Sequence, residues 1–211
     1  MKTEHCQAIV LSTLDYGESD RIVSLFSLEF GRIRAFAKGA RASRRRFGGM
    51  LEPGNRLELT LQVKDEGLSR LERVEAARCH PGLRGNLETL ALALYGCELV
   101  EALTPEGHPL PRLYRLLATL LDHLERGAAT EADQRFFEIN LLNILGYRPP
   151  LEDDDLHPLR NCLRTGTFGL ISFSGQELAA SGRLLDRSIS NHTTRPLQSL
   201  SFLQDVTGRR I

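Results

Sequence analysis

Seven basic residues lie between Phe30 and Leu51 with no carboxylate among them, and no other segment of the chain points as directly to a chemistry. They are Arg32, Arg34, Lys38, Arg41, Arg44, Arg45 and Arg46. The formal net charge of the whole chain is +0, so the rest of the sequence carries a compensating excess of seven negative charges. A concentrated positive stripe inside a neutral protein is typical of a surface that binds a polyanion.

The first part of this stripe alternates as a half-buried strand does. In residues 31–39 one set of side chains is small and apolar, and the other set combines three cations with one aromatic ring. The apolar set is Ile33, Ala35 and Ala37, and the opposite set is Arg32, Arg34, Phe36 and Lys38. Cations bind phosphates and a ring stacks on an unpaired base, so this face predicts binding of single-stranded nucleic acid. Residues 39–49, rich in Arg and Gly, are predicted to form a basic loop.

The stripe has two other interpretations. It could be a solvated edge strand whose charges only prevent aggregation. Nucleic-acid binding is favoured over this interpretation because seven like charges repel one another without a compensating carboxylate. A membrane-surface role is disfavoured because the basic residues lie on a predicted strand and loop instead of on an amphipathic helix.

The remaining elements predict an α+β protein. Residues 1–80 contain five short segments with strand patterning, which favour a partly open five-stranded barrel of the oligonucleotide-binding (OB) type. These segments are Cys6 to Leu14, Arg21 to Phe26, Gly31 to Lys38, Leu57 to Val63 and Leu68 to Ala76. Residues 81–211 have helical periodicity instead, and we expect a second, mainly helical domain there.

Three helices are predicted in the second domain from their end signals. One follows Asn86 as the N-cap, one begins at Pro109 and Pro111, and one has a capping box at Thr130 and Asp133 and ends at Gly146. The pattern is weaker over residues 151–211, where a small irregular segment is expected. It contains an acidic loop at 152–155, a short strand from Phe168 to Phe173 and a final helix after Pro196.

Composition and motifs indicate the cellular compartment and argue against a catalytic function. The N-terminus lacks a hydrophobic signal region, apolar runs are too short to cross a bilayer and the four cysteines are scattered, so we expect a cytoplasmic protein with reduced thiols. The carboxylates Glu152, Asp153, Asp154 and Asp155 could attract Mg²⁺, but adjacent residues do not easily face one metal. No phosphate-binding loop, nucleophile elbow or His-Glu-x-x-His motif occurs. The prediction is a non-enzymatic protein.

Several motifs resemble those of the RecO family of DNA repair and recombination mediator proteins. They are Tyr16-Gly17-Glu18-Ser19-Asp20, the stretch Gly31 to Lys38 with Gly39-Ala40-Arg41, Tyr95-Gly96-Cys97-Glu98-Leu99-Val100, and the run from Phe136 to Pro149. The resemblance covers about residues 5–150 in the family's order. It implies an N-terminal OB domain and a helical domain, binding of single- and double-stranded DNA, and annealing of complementary strands. It also implies cooperation with RecR to load RecA onto single strands coated by single-stranded-DNA-binding protein.

One departure from the family pattern concerns zinc. Many relatives carry two Cys-x-x-Cys pairs after the segment that ends at Pro149, whereas this chain has an acidic loop there and no such pair. Cys162 with His157 or His192 does not complete a four-ligand zinc set, so no cofactor is expected. An RNA-binding or protein-adaptor module built on the same barrel stays open as an alternative, because charge and stacking do not distinguish DNA from RNA.

Overall fold

Five strands form the barrel that the N-terminal sequence patterning predicted. The computed structural model describes residues 2–42, 47–64, 67–127 and 129–208. The strands are β1 (Lys2–Tyr16), β2 (Asp20–Ser27), β3 (Gly31–Ala37), β4 (Arg56–Val63) and β5 (Ser69–Arg78). They close in the order β1-β2-β3-β5-β4, with β3 and β5 parallel and the other pairs antiparallel. This five-stranded closed barrel is an OB-fold, as predicted.

Alternation along the strands fixes which side chains fill the barrel. Ile33, Ala35 and Ala37 of β3 lie in its hydrophobic core, together with Leu57, Leu59 and Leu61 of β4. The residues between them point outward, because successive side chains of a strand face opposite sides of the sheet. The predicted alternation of β3 is therefore confirmed. The barrel is closed instead of partly open because β1 is longer than predicted and also pairs with β4, from Lys2 to Ile9.

Helices follow the barrel over the rest of the chain. They are α1 (Leu87–Leu103), α2 (Pro111–Leu124), α3 (Glu131–Leu145), α4 (His157–Thr165), α5 (Gly175–Ser190) and α6 (Gln198–Thr207). The chain divides into two compact units, one of residues 1–81 and 97–118 and the other of residues 82–96 and 119–211. None of the helices in the described part of the chain is long and apolar enough to cross a membrane.

The predicted helix ends are present. The Asn86 side chain accepts a hydrogen bond from the Thr89 backbone N–H, as an N-cap does. Thr130 and Asp133 form the reciprocal capping box of α3. Gly146 ends α3 in the left-handed conformation, with φ of 80°.

The C-terminal segment differs from its prediction. Residues 168–173 form no strand, so that prediction is wrong. Phe168 lies in a turn and packs against the Phe136 ring, with ring centroids 4.3 Å apart, and against His123. Phe168 therefore anchors a loop to the helices, and the stretch does not pair in a sheet. The acidic loop is shorter than predicted, since Asp154–Leu156 form a single 3-10 turn that leads into α4.

The second unit encloses a buried polar cluster around Glu138, whose relative exposure is 0%. The Glu138 carboxylate accepts hydrogen bonds from the Tyr95 hydroxyl at 2.7 Å, the Gln134 amide at 2.9 Å and the Arg135 guanidinium at 2.8 Å. Asp186 lies 3.5 Å from the same guanidinium. Burial, and then the neighbouring Glu138 charge, raise the pKa of Asp186 to about 6. Arg135 is thus the cation that balances this carboxylate cluster.

Candidate nucleic-acid interface

The outward side chains of β1, β2 and β3 form one continuous face, which we call the outer face. Strand register places them in rows across the sheet. One row is Ser12, Ser24 and Arg34, and the next is Leu14, Ile22, Phe36 and Arg70. The β1–β2 pairing ends at Tyr16 opposite Asp20. Residues that are far apart in sequence therefore become neighbours on this surface.

One end of the outer face is covered by residues 97–118 of the same unit. Phe26 is fully buried there and packs against the Tyr114 ring, with centroids 6.3 Å apart. Gly31 allows the close approach: its φ is 70°, and a Cβ at this position would overlap the His108 carbonyl group. This half of the face is consequently closed to a large ligand.

Arg32 lies at the covered end and is already bound. Its Nε donates a hydrogen bond to the Thr104 carbonyl at 2.9 Å, and its guanidinium forms an ion pair with Glu106 at 3.1 Å. The Gly107 backbone N–H donates to the Arg32 carbonyl at 2.9 Å. A phosphate that approaches Arg32 therefore competes with the Thr104 carbonyl and the Glu106 carboxylate.

The other end of the outer face is open. Leu14 and Tyr16 expose 61% and 55% of their surface, which is unusual for large apolar residues in a strand. The half-buried Phe36 meets the Tyr16 ring nearly perpendicularly, with ring centroids 5.9 Å apart and an interplanar angle of 85°. Arg34 and Lys38 are exposed beside this pair and have no carboxylate partner among the described residues. The open end therefore combines an apolar centre with cations available to a ligand.

The start of the basic loop is fastened to the β1–β2 turn. The Gly39 backbone N–H donates to the Asp20 carboxylate at 2.7 Å, and the Arg41 backbone N–H donates to the Ser19 carbonyl at 2.9 Å. The exposed Arg41 guanidinium forms an ion pair with Asp15 at 3.3 Å. These contacts hold Lys38 and Arg41 next to the turn that follows Tyr16.

The structure places the sequence-predicted site residues in three groups. Arg34, Phe36, Lys38 and Arg41 lie together at or beside the open end, and Arg32 is on the same face but at the covered end. Arg44, Arg45 and Arg46 lie outside the described residues.

Three residues that sequence reasoning missed also belong to this surface. Leu14 is the last residue of the predicted first strand, and Tyr16 continues the outward alternation of β1 beyond that predicted end. Arg70 is exposed and pairs with Phe36 in the parallel β3–β5 ladder, with its Nε 3.0 Å from Glu72. No local sequence pattern predicts the parallel pairing of β3 with β5.

In the described parts of the chain, no group of three or more His, Cys, Asp or Glu side chains could hold a metal ion. Cys162 is fully buried on α4, and burial raises the pKa of its thiol to about 12. Its side chain behaves as a small apolar residue in the core of the second unit.

A closed five-stranded barrel with a cationic and aromatic outer face, followed by helices, defines a protein of the OB-fold class. Sequence comparison narrows the class to a family. The family description "Recombination protein O N terminal" matches residues 1–80, and "Recombination protein O C terminal" matches residues 84–155. The chain belongs to the recombination protein O family.

Similar proteins extend over the whole chain. A DNA repair protein RecO of Pelobacter propionicus is 50% identical over 99% of this chain and 99% of its own length. A protein of the same name from Geobacter sulfurreducens is 43% identical over 96% of this chain and 98% of its own length. A third protein of this name, from Geobacter metallireducens, is 40% identical over 98% of this chain and 99% of its own length.

Proposed function

We propose that this protein is a DNA-binding recombination mediator in DNA repair, which binds single- and double-stranded DNA and anneals complementary strands. The observation that carries the proposal is the open end of the outer face. There, Arg34 and Lys38 are exposed without a carboxylate partner in the described chain, beside the exposed ring of Tyr16. The names of the relatives support DNA repair as the process.

Phosphate binding would come from Arg34, Lys38 and Arg41, with Arg44, Arg45 and Arg46 of the basic loop adding to it. Contacts to phosphates carry no sequence information, so we expect binding that is nearly independent of sequence. Arg41 would exchange its exposed ion pair with Asp15 for a phosphate at little cost, because exposed ion pairs contribute only about 0–1 kcal/mol.

Annealing would follow from the same surface. Two complementary strands repel each other, and cations that bind both lower this repulsion and raise the local concentration of each strand. The step requires neither a covalent intermediate nor nucleotide hydrolysis, so the proposed activity is non-enzymatic.

The proposed cellular role includes other proteins. We propose that the protein acts in the cytoplasm with RecR to load RecA onto single strands coated by single-stranded-DNA-binding protein. Support for these partners comes from family membership alone. The direct test is whether the protein together with RecR shortens the lag of RecA filament formation on coated strands.

DNA binding is tested by fluorescence anisotropy of a labelled single strand across a salt series. Six cations, the predicted set without Arg32, give an expected log–log slope of about −4, at roughly −0.7 per phosphate contact. A slope near zero would contradict the proposal. Competition between DNA and RNA strands of equal length addresses the alternative, since a clear preference for RNA would favour an RNA-binding module.

A further inference from the structure

The exposed ring at the open end belongs mainly to Tyr16 and not to Phe36. Tyr16 is 55% exposed, whereas Phe36 is half-buried in the row between Ile22 and Arg70. The perpendicular contact of the two rings, at 5.9 Å between centroids, is a favourable aromatic geometry. Phe36 therefore supports the Tyr16 ring and is itself the less exposed of the two side chains.

The neighbours of Tyr16 define what kind of ligand could use this ring. Leu14, two residues earlier on the same face, extends the apolar surface, and Lys38 and Arg34 provide positive charge beside it. An apolar platform flanked by cations complements a nucleotide, in which a flat base is joined to a negatively charged phosphate. A purely apolar partner would leave the cations without a counterpart.

The chain segment after Lys38 is also fastened to the turn that follows Tyr16. The β1–β2 turn that follows Tyr16 receives the Arg41 guanidinium on the Gly17 carbonyl at 3.2 Å and the Arg41 backbone N–H on the Ser19 carbonyl at 2.9 Å. Asp20, opposite Tyr16 in the ladder, accepts the Gly39 N–H. The backbone around the Tyr16 ring is therefore pre-organised, which lowers the entropy lost when a ligand binds.

We propose that Tyr16 is the base-stacking residue of this protein, that Phe36 positions its ring, and that this platform confers a preference for unpaired over paired bases. The inference rests on the proposed function, because it names the residue of the same site that contacts bases. In a duplex the base faces are stacked on one another, so a duplex can bind the cations through its phosphates but cannot stack a base on the Tyr16 ring.

The test compares two oligonucleotides of equal length and charge: oligothymidylate and an abasic strand with the same number of phosphates. Binding is measured by anisotropy for the wild type, Tyr16→Ala, Tyr16→Phe and Leu170→Ala. Leu170 is the matched control, since it is 65% exposed in the second unit. Wild type is expected to prefer oligothymidylate by about fivefold or more, the lower range of one stacking contact.

The inference expects Tyr16→Ala to lose this preference while keeping its affinity for the abasic strand and its salt slope. Tyr16→Phe keeps the ring and should retain the preference, and Leu170→Ala should match wild type. A fourth variant, Phe36→Leu, should reduce the preference less than Tyr16→Ala does. A larger loss in Phe36→Leu would make Phe36 the stacking residue and overturn the inference.

Other results separate this inference from the proposed function. Equal losses for both strands in Tyr16→Ala would show a structural role for Tyr16, and an unchanged preference would show no role. Both results overturn the inference while DNA binding stands. Absence of wild-type binding to either strand would overturn the proposed function itself.

Discussion

Arg32 and Arg34 provide a matched pair for testing how the structure divides the basic strand. They lie two residues apart on the same face of β3 and carry the same charge. Arg34 is exposed at the open end, whereas the Arg32 side chain is only 18% exposed and is bound to Thr104 and Glu106. Changing each to Ala removes the same charge from the same strand. We expect different consequences because the surroundings differ.

Arg34→Ala should weaken DNA binding and leave folding intact. Loss of one phosphate contact flattens the salt slope by about 0.7. It lowers affinity by about fivefold at 0.1 M salt, because this slope amounts to about 0.7 log units over the decade between 1 M and 0.1 M salt. Arg32→Ala should leave the slope within error. It should instead lower the unfolding free energy by about 1–3 kcal/mol, since the Thr104 carbonyl loses a charge-assisted donor.

Two assays measure these outcomes. Anisotropy titrations at several salt concentrations give the slopes, and thermal unfolding gives the stability difference, expected at about 2–4 °C per kcal/mol for a protein of this size. Equal flattening of the slope in both variants would refute the reasoning. It would mean that Arg32 leaves Glu106 when DNA binds and that the covered end belongs to the interface.

Three further predictions concern the rest of the molecule. Arg135→Ala should lower the unfolding free energy by about 3–5 kcal/mol in denaturant titrations, because it leaves the buried Glu138 carboxylate without its cation; a loss below about 1 kcal/mol would contradict this. The pKa of Asp186 is raised from 3.8 to about 6, so the folded state binds a proton more tightly than the unfolded state. Unfolding free energy should therefore fall as pH rises from about 4 to about 6, and Asp186→Asn should remove that part of the pH dependence. All four cysteines lie in the described chain and only Cys79 is exposed, so one thiol should react rapidly with Ellman's reagent, and Cys79→Ser should abolish the fast phase.

Features encoded by nearby residues were readable from the sequence. The alternation of β3 predicted its inward and outward faces, since the period of a strand is two. The capping box of α3 was predicted from Thr130 and Asp133, because both partners lie within one helical turn. A similar signal at Ser174 and Glu177, which caps α5, was present in the sequence and was missed.

The positive stripe shows the limit of local reasoning. Seven cations without a carboxylate in the same segment looked uncompensated, but the carboxylates that meet Arg32 and Arg41 come from Glu106 and Asp15. Because Glu106 and Asp15 lie outside the basic segment, its charge pattern predicted neither ion pair. The positive stripe is thus partly neutralised, and the cations with no carboxylate partner in the described chain are Arg34 and Lys38.

The sequence by itself determined the barrel, the helices up to Gly146, and the strand on which cations and an aromatic ring share one face. Those properties follow from periodicity, turn residues and caps, which act over a few residues. Only the tertiary structure decided which part of that face is open, that Tyr16 stands beside Phe36 across the intervening β2 strand, and that Arg32 is bound by a segment more than seventy residues later. The reason is physical: exposure and ion pairing depend on which distant segments pack together, and the charge pattern of one segment does not contain that information.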